Sequence, residues 1–180
     1  MSTTKANWRH ETQIVADPTL PTILIIREFD ASSGRVFQAY TDPDLVVQWL
    51  GPRRLTMRID EYGTRTGGSY RYVHRDDDGT EYGFRGVFHE VRLNERIVQT
   101  FAFDGFPDGV SLETTAFEDL RGRTRVTTKS LMDSIEVRDS VIKTGMQRGV
   151  REGHERLDEL LSGRQSGNAD RRTEKEGLRS

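Results

Sequence analysis

The period of the hydrophobic positions changes three times along this chain. Thr22–Asp30 (TILIIREFD) is a run of β-branched and apolar residues with no polar break at its centre, which predicts a first strand buried on both faces. The spacing then becomes helical. Ser32 or Ser33 opens a short helix through about Thr41, with Val36, Phe37 and Tyr40 on its apolar side. Asp42-Pro43 restarts the chain, and Asp44–Leu50 reads as a second short helix stopped by Gly51-Pro52. From Arg53 to Met132, segments rich in Tyr, Phe, Val and Thr are punctuated at Gly67-Gly68, Asp77-Asp78-Gly79, Leu93-Asn94, Asp104–Gly109 and Arg121-Gly122. Even spacing with hairpin signals predicts an antiparallel meander of six strands, seven with the first.

One hairpin can be registered from its turn. A three-residue loop, Asp77-Asp78-Gly79, places Asp76 opposite Thr80, His74 opposite Tyr82, Tyr72 opposite Phe84 and Tyr70 over Gly86. The other face pairs Arg75 with Glu81 and sets Arg71 near Arg85. A two-residue loop would mix Arg75 and Val73 among the aromatics, so the three-residue register is preferred. It collects Tyr72, Tyr82, Phe84 and Phe88 on one face that something must cover. Ser140–Leu161 is the natural cover. At 100° per residue its stripe holds Ile142, Met146, Gly149, Val150, Gly153, Leu157, Leu160 and Leu161, with Arg148, Arg151, Glu152, Glu155 and Glu159 opposite. Three glycines in this helix (Gly145, Gly149, Gly153) each cost about 0.8–1 kcal/mol relative to alanine. Their compensation is either backbone lying very close or room left for a guest, and the second is expected here. The whole reads as α+β: a helix-grip fold, a seven-stranded antiparallel sheet curved around a long C-terminal helix, with two short helices between strands 1 and 2.

At 180 residues one domain with its own core is expected, over 21–162, between a flexible N-terminal arm (1–20) and a disordered tail (163–180) of almost no apolar content. Charged residues make up 31% and apolar ones 33%, and the net charge is −2, so no basic field favours nucleic acid or an anionic membrane. The absence of cysteine excludes disulfides, thiolate metal sites and a cysteine nucleophile. No apolar run approaches the roughly 18 residues of a membrane helix, and the N-terminus lacks a signal-peptide pattern, so a cytoplasmic protein without membrane insertion is expected.

The run IREFDASSGRVFQAYTDPDLVVQWLGP resembles the opening signature of the SRPBCC superfamily (START-like, Bet v 1-like), in the branch named for the activator of Hsp90 ATPase. The similarity rests on Arg27, Phe29, Asp30, Ala31, Val36, Phe37, Ala39, Thr41, Pro43, Trp49, Gly51 and Pro52, with Leu50 where the branch carries a second tryptophan. It continues at Arg65, Gly67-Gly68, Asp78-Gly79, Gly86, Glu95-Arg96, Thr100, Gly145-Met146, Gly149, Leu157 and Leu160, about residues 22–161. The resemblance implies the helix-grip fold and a cavity between sheet and last helix. It does not imply one function, because the superfamily's scaffold hosts lipid carriers, cyclases, hydroxylase subunits and co-chaperones.

The expected ligand-binding residues are Trp49, Met57, Tyr72, Tyr82, Phe84, Phe88, Phe101, Phe103, Met146, Gly149, Val150, Gly153 and His154, apolar walls with a few polar tips suited to an apolar or aromatic small molecule. The same aromatic pattern also describes an ordinary core, and Phe101 and Phe103 are placed inward although the loop before them does not fix their register. His154, at the stripe's edge, is either a satisfied core residue or a polar handle. The four histidines (His10, His74, His89, His154) lack metal-ligand spacing, and Asp76-Asp77-Asp78-Gly79 lacks the ligand pattern of a calcium loop. No catalytic set, metal or cofactor is expected. A binding protein, monomeric or weakly dimeric, is the leading reading. A polyketide cyclase or aromatase-like enzyme using His154 with Tyr72 or Tyr82, and a co-chaperone-like interaction module, are the alternatives.

Overall fold

The computed structural model describes residues 10–163. In chain order the elements are β1 (Gln13–Ala16), β2 (Thr22–Phe29), α1 (Ser33–Thr41), α2 (Pro43–Trp49), β3 (Thr56–Tyr62), β4 (Ser69–Arg75), β5 (Glu81–Arg92), β6 (Arg96–Phe103), β7 (Phe106–Asp119), β8 (Thr124–Leu131), α3 (Ile135–Lys143) and α4 (Met146–Leu161). One antiparallel sheet has the order β1-β2-β8-β7-β6-β5-β4-β3. The fold is the expected α+β arrangement, with the two short helices between β2 and β3 and the long helix last. Asp42 caps α2 by accepting from the Asp44 N–H at 3.0 Å, with Pro43 in the first turn.

The strand count is eight rather than seven. Gln13–Ala16, inside the segment expected as a loose arm, pairs with Ile23–Ile26 along the outer edge of β2. The turn between them is held by Asp17 Oδ1, which accepts from the Thr19 N–H (2.8 Å) and the Leu20 N–H (2.9 Å). From α3, Arg138 donates to the carbonyls of Asp17 and Leu20 and fastens the same turn. Residues 1–9 of the expected arm and 164–180 of the expected tail lie outside the described residues.

The terminal helix is two helices. Gly145, at φ +78°, ends α3 and starts α4, its N–H reaching Ile142 O at 3.1 Å. It is a junction residue in the left-handed region, so the helix-interior penalty does not apply to it. The β4–β5 hairpin adopts the three-residue register, with Tyr72 opposite Phe84, His74 opposite Tyr82 and Tyr70 opposite Gly86.

Register pairing assigns the sheet's concave face. It carries Met57, Ile59 and Tyr62 on β3; Tyr70, Tyr72 and His74 on β4; and Tyr82, Phe84 and Phe88 on β5. It continues with Ile97, Gln99, Phe101 and Phe103 on β6, then Ser111, Glu113, Thr115 and Phe117 on β7, and reaches β2 through Thr124–Ser130 of β8. Phe29, Val36, Phe37, Trp49, Phe88, Phe117, Val126 and Leu157 pack as one core at the end of this face covered by α1, α2 and the second half of α4.

Candidate functional site

The concave face has two unlike halves. In the first, Phe29, Phe88 and Leu157 are fully buried, Phe37 packs edge-on to Phe117 at 5.2 Å, and the Trp49 indole N–H donates to Ala39 O at 2.8 Å. Trp49 and Phe88, both expected ligand contacts, belong to this closed core. In the second half, Phe84, Phe101 and Phe103 stay half-buried, while Tyr72 beside them is buried. Phe84 stacks on Tyr72 (5.2 Å), Phe101 (5.4 Å) and Phe103 (5.1 Å), forming an aromatic ladder across three strands. Met57 is half-buried beside it, and Phe101 and Phe103 point inward as expected. Met146 and Val150 are half-buried on α4, outside the core cluster. Tyr82 is half-buried at the hairpin end, opposite His74.

Gly149 and Gly153 do not leave room for a guest. A Cβ on Gly153 would stand 3.3 Å from both Trp49 O and Gly51 N, and one on Gly149 would stand 3.7 Å from Pro52 Cδ. The missing bulk is filled by the α2–β3 connection, because α4 packs on α2 and α1 rather than flat on the aromatic strands. Gly51 in turn abuts His74: a Cβ there would lie 2.0 Å from the imidazole Cε1. The Arg156 guanidinium holds the same residue by donating to Gly51 O at 3.1 Å.

His154 is a core residue. Its Nδ1 shares a 3.0 Å hydrogen bond with Thr12 Oγ1, and its ring stands edge-on to Phe29 at 5.7 Å. Burial, helped by the nearby Arg27 cation, pushes its pKa down to about 3, so it is neutral at physiological pH. His74 is likewise pushed down to about 4 by burial and by Arg156, and its Nε2 is buried without a hydrogen-bond partner. His154 makes no contact with Tyr72 or Tyr82 among the described residues, so the proposed acid–base pairing is not assembled. Among these residues no cluster of His, Asp and Glu has metal-binding geometry.

The polar groups of the open half are ones that sequence reasoning passed over. Glu113 lies on the inner face of β7, opposite Gln99 of β6 and Ser130 of β8. Ser130 Oγ donates to Glu113 Oε1 at 3.0 Å, and burial raises the carboxyl's pKa against that bond. Gln99 Nε2 donates to the Tyr70 hydroxyl at 3.2 Å, which itself donates to Thr100 O at 2.7 Å. Thr115 and Thr128 share a 2.9 Å hydrogen bond one step further along. The alternation from Phe117 back through Thr115 to Glu113 carries the signal, but only once Phe117 is known to face inward.

Two surface grooves lie elsewhere. One of about 360 Å³ is lined by Phe37, Thr41, Asp42, Thr64, Val91 and Leu93. The other, about 280 Å³, runs between α1, α2 and Leu160-Leu161. Neither includes an expected ligand residue.

The family described as Activator of Hsp90 ATPase homolog 1-like protein matches over residues 30–162. The chain belongs to this family. Among solved structures, an Arthrobacter aurescens protein is 26% identical over 90% of this chain and 98% of its own, with a TM-score of 0.79. A Mycobacterium smegmatis protein is 25% identical over 84% of this chain and 96% of its own, at 0.76. A Rhodobacter sphaeroides protein, 24% identical over 84% of this chain and 98% of its own, shares the fold at 0.76. No curated protein matches the chain. No helix of the described residues is long and apolar enough to cross a membrane.

Proposed function

We propose that this Activator of Hsp90 ATPase homolog 1-like protein binds a small apolar or aromatic molecule in the open half of its concave face. The observation that carries the reading is the half-buried trio Phe84–Phe101–Phe103, stacked against the buried Tyr72, on a face whose other half is closed. Apolar surface left accessible inside a concavity gains about 25 cal/mol per Å² when a ligand covers it. Met57, Met146 and Val150 supply adaptable walls beside the ladder. The enzyme reading is weakened at its base, since burial lowers the basicity of His154 and its Nδ1 is committed to Thr12.

Titration with naphthalen-2-ylmethanol, a neutral aromatic probe, tests the reading. Methyl signals of Met57 and Met146 and ring signals of Phe84 and Phe101 are expected to shift, while those of Phe88 and Leu157 stay still. Saturating probe that shifts none of the first group overturns it. A second reading, weak self-association, draws support from Val110, Leu112 and Leu131, which are exposed side by side on the convex face. Sedimentation equilibrium showing only monomer at high concentration removes that reading.

A further inference from the structure

Glu113 is a carboxylate placed where a binding protein for purely neutral ligands has no use for one. It sits in mid-strand on the concave face, with Gln99 and Ser130 as its cross-strand neighbours. Its Oε1 accepts one hydrogen bond, from Ser130. Its Oε2 accepts none and is not among the fully buried unpartnered side-chain atoms, so part of its surface stays accessible. No Lys or Arg forms an ion pair with it among the described residues, although these residues hold ion pairs at many surface positions. The titratable groups within its electrostatic reach are the phenols of Tyr40, Tyr70 and Tyr72, all kept protonated and therefore neutral by burial.

An ionised carboxyl removed from water without a counter-charge is costly, and the cost disappears when a cation is brought to it. Aromatic faces around the same space attract cations through their quadrupoles, and Tyr70, Tyr72 and Phe84 present three stacked rings beside Gln99 and Glu113. We propose that Glu113 is the polar anchor of the site, and that its ligand is an ammonium-bearing molecule with an aromatic or branched apolar body. The ammonium donates to Glu113 Oε2 while the apolar body lies on the half-buried rings of Phe84 and Phe101. Gln99, already tied to Tyr70, offers its carbonyl oxygen as a second acceptor one strand away. This inference rests on the binding reading above, and the test separates the two.

Three probes of one shape serve: naphthalen-2-ylmethylamine as the cation, naphthalen-2-ylmethanol as the neutral control, and naphthalene-2-carboxylate as the anion. Calorimetric titration of the full chain at pH 7 is expected to rank amine above alcohol above carboxylate. The amine should lead the alcohol by about tenfold or more, the strength of one charge-assisted hydrogen bond. In Glu113→Gln that lead is expected to vanish while alcohol affinity changes less than about twofold. The Ser130 hydroxyl can still donate to the amide oxygen, so the variant keeps its local bond. Equal binding of amine and alcohol to the wild type, unaltered in Glu113→Gln, overturns the anchor but leaves the apolar site standing. Failure of all three probes removes the site itself. Should Glu113→Gln not fold, the ranking of the three probes on the wild-type chain decides alone.

Discussion

The two halves of the concave face are built from the same residue types on the same strands, yet they meet different fates. Phe88 and Phe84 sit on one face of β5; the first is fully buried and the second half-exposed. The difference lies in what covers them. Leu157 and Leu161 of α4, Trp49 of α2 and Phe37 of α1 close over Phe88, Phe29 and Phe117. Phe84, Phe101 and Phe103 are not closed over in this way: Met146 and Val150 of α4 stay half-buried outside the core, and Gly149 and Gly153 seat the helix on the Trp49–Pro52 connection. A sheet face thus becomes closed core or accessible surface according to where its helix is anchored, not according to its own composition.

The largest effect expected from this contrast is in large-to-small substitution. Phe88→Ala removes a fully buried ring and is expected to cost about 3–5 kcal/mol of unfolding free energy. Phe101→Ala, on the open half, is expected to cost less than half as much while weakening probe binding. Equal losses in denaturant unfolding would erase the distinction between the halves. Next comes Gly51→Ala, in the connection that anchors α4. Gly51 sits at φ +95° with the His74 ring in the way of a Cβ, so strain of about 1–2 kcal/mol from the backbone adds to overpacking of about 1–3 kcal/mol. Its loss should exceed that of Gly122→Ala, which has a similar φ of +93° but open space around it.

Acid tests the halves from another side. An unfolded imidazole titrates near 6.5, whereas folded His154 and His74 are held to about 3 and about 4. Above pH 6.5 both states are neutral and the stability is fully present. As pH falls below 6.5, the unfolded chain takes up protons that the folded chain refuses, so stability drains away until the folded values are reached. Each unit corresponds to about 1.4 kcal/mol, giving a loss on the order of several kcal/mol. Carboxylates held low by their partners, such as Asp104 beside Arg71, act only below about pH 4. Between about pH 6.5 and 5 the two histidines drain stability while Glu113, whose raised pKa gives the opposite sign, offsets part of the loss. His154→Gln should flatten the histidine part of the slope in urea unfolding curves. An unchanged slope would remove His154 from the closed half's account.

Legibility from the sequence followed how local each determinant was. The β4–β5 register was readable because Asp77-Asp78-Gly79 sets it within a few residues. The β1 strand was not, since four residues between polar positions and Pro18 carry little period and owe their pairing to β2 and Arg138. The glycine stripe was visible but its partner was not: Gly51 and Trp49 lie about a hundred residues earlier in the chain, and only the tertiary fold brings their backbone to Gly153. Glu113 escaped for a related reason. Its strand follows a turn that the structure confines to Asp104-Gly105 instead of the expected Asp104–Gly109, and the β6–β7 register shifts at Ala102/Phe103, so parity cannot be counted through the hairpin.

The smallest expected effect has the opposite sign in the two halves. In the closed half, Thr12→Val strips His154 of its hydrogen bond and should destabilise by about 1–3 kcal/mol, because the imidazole stays buried without a partner. In the open half, Glu113→Gln should stabilise the free protein, by about 0.5–2 kcal/mol at neutral pH. Burial raises the carboxyl's pKa, so the folded chain holds its proton to higher pH than the unfolded chain. Ionising Glu113 therefore costs stability as pH rises above about 4.5, and an amide has no such cost. The gain should shrink toward zero on acidification to pH 4, where both states keep the proton, and that pH dependence separates it from an unrelated packing improvement. A residue whose replacement stabilises the fold while abolishing amine preference is retained for what it binds, whereas Thr12 is retained for what it holds in place.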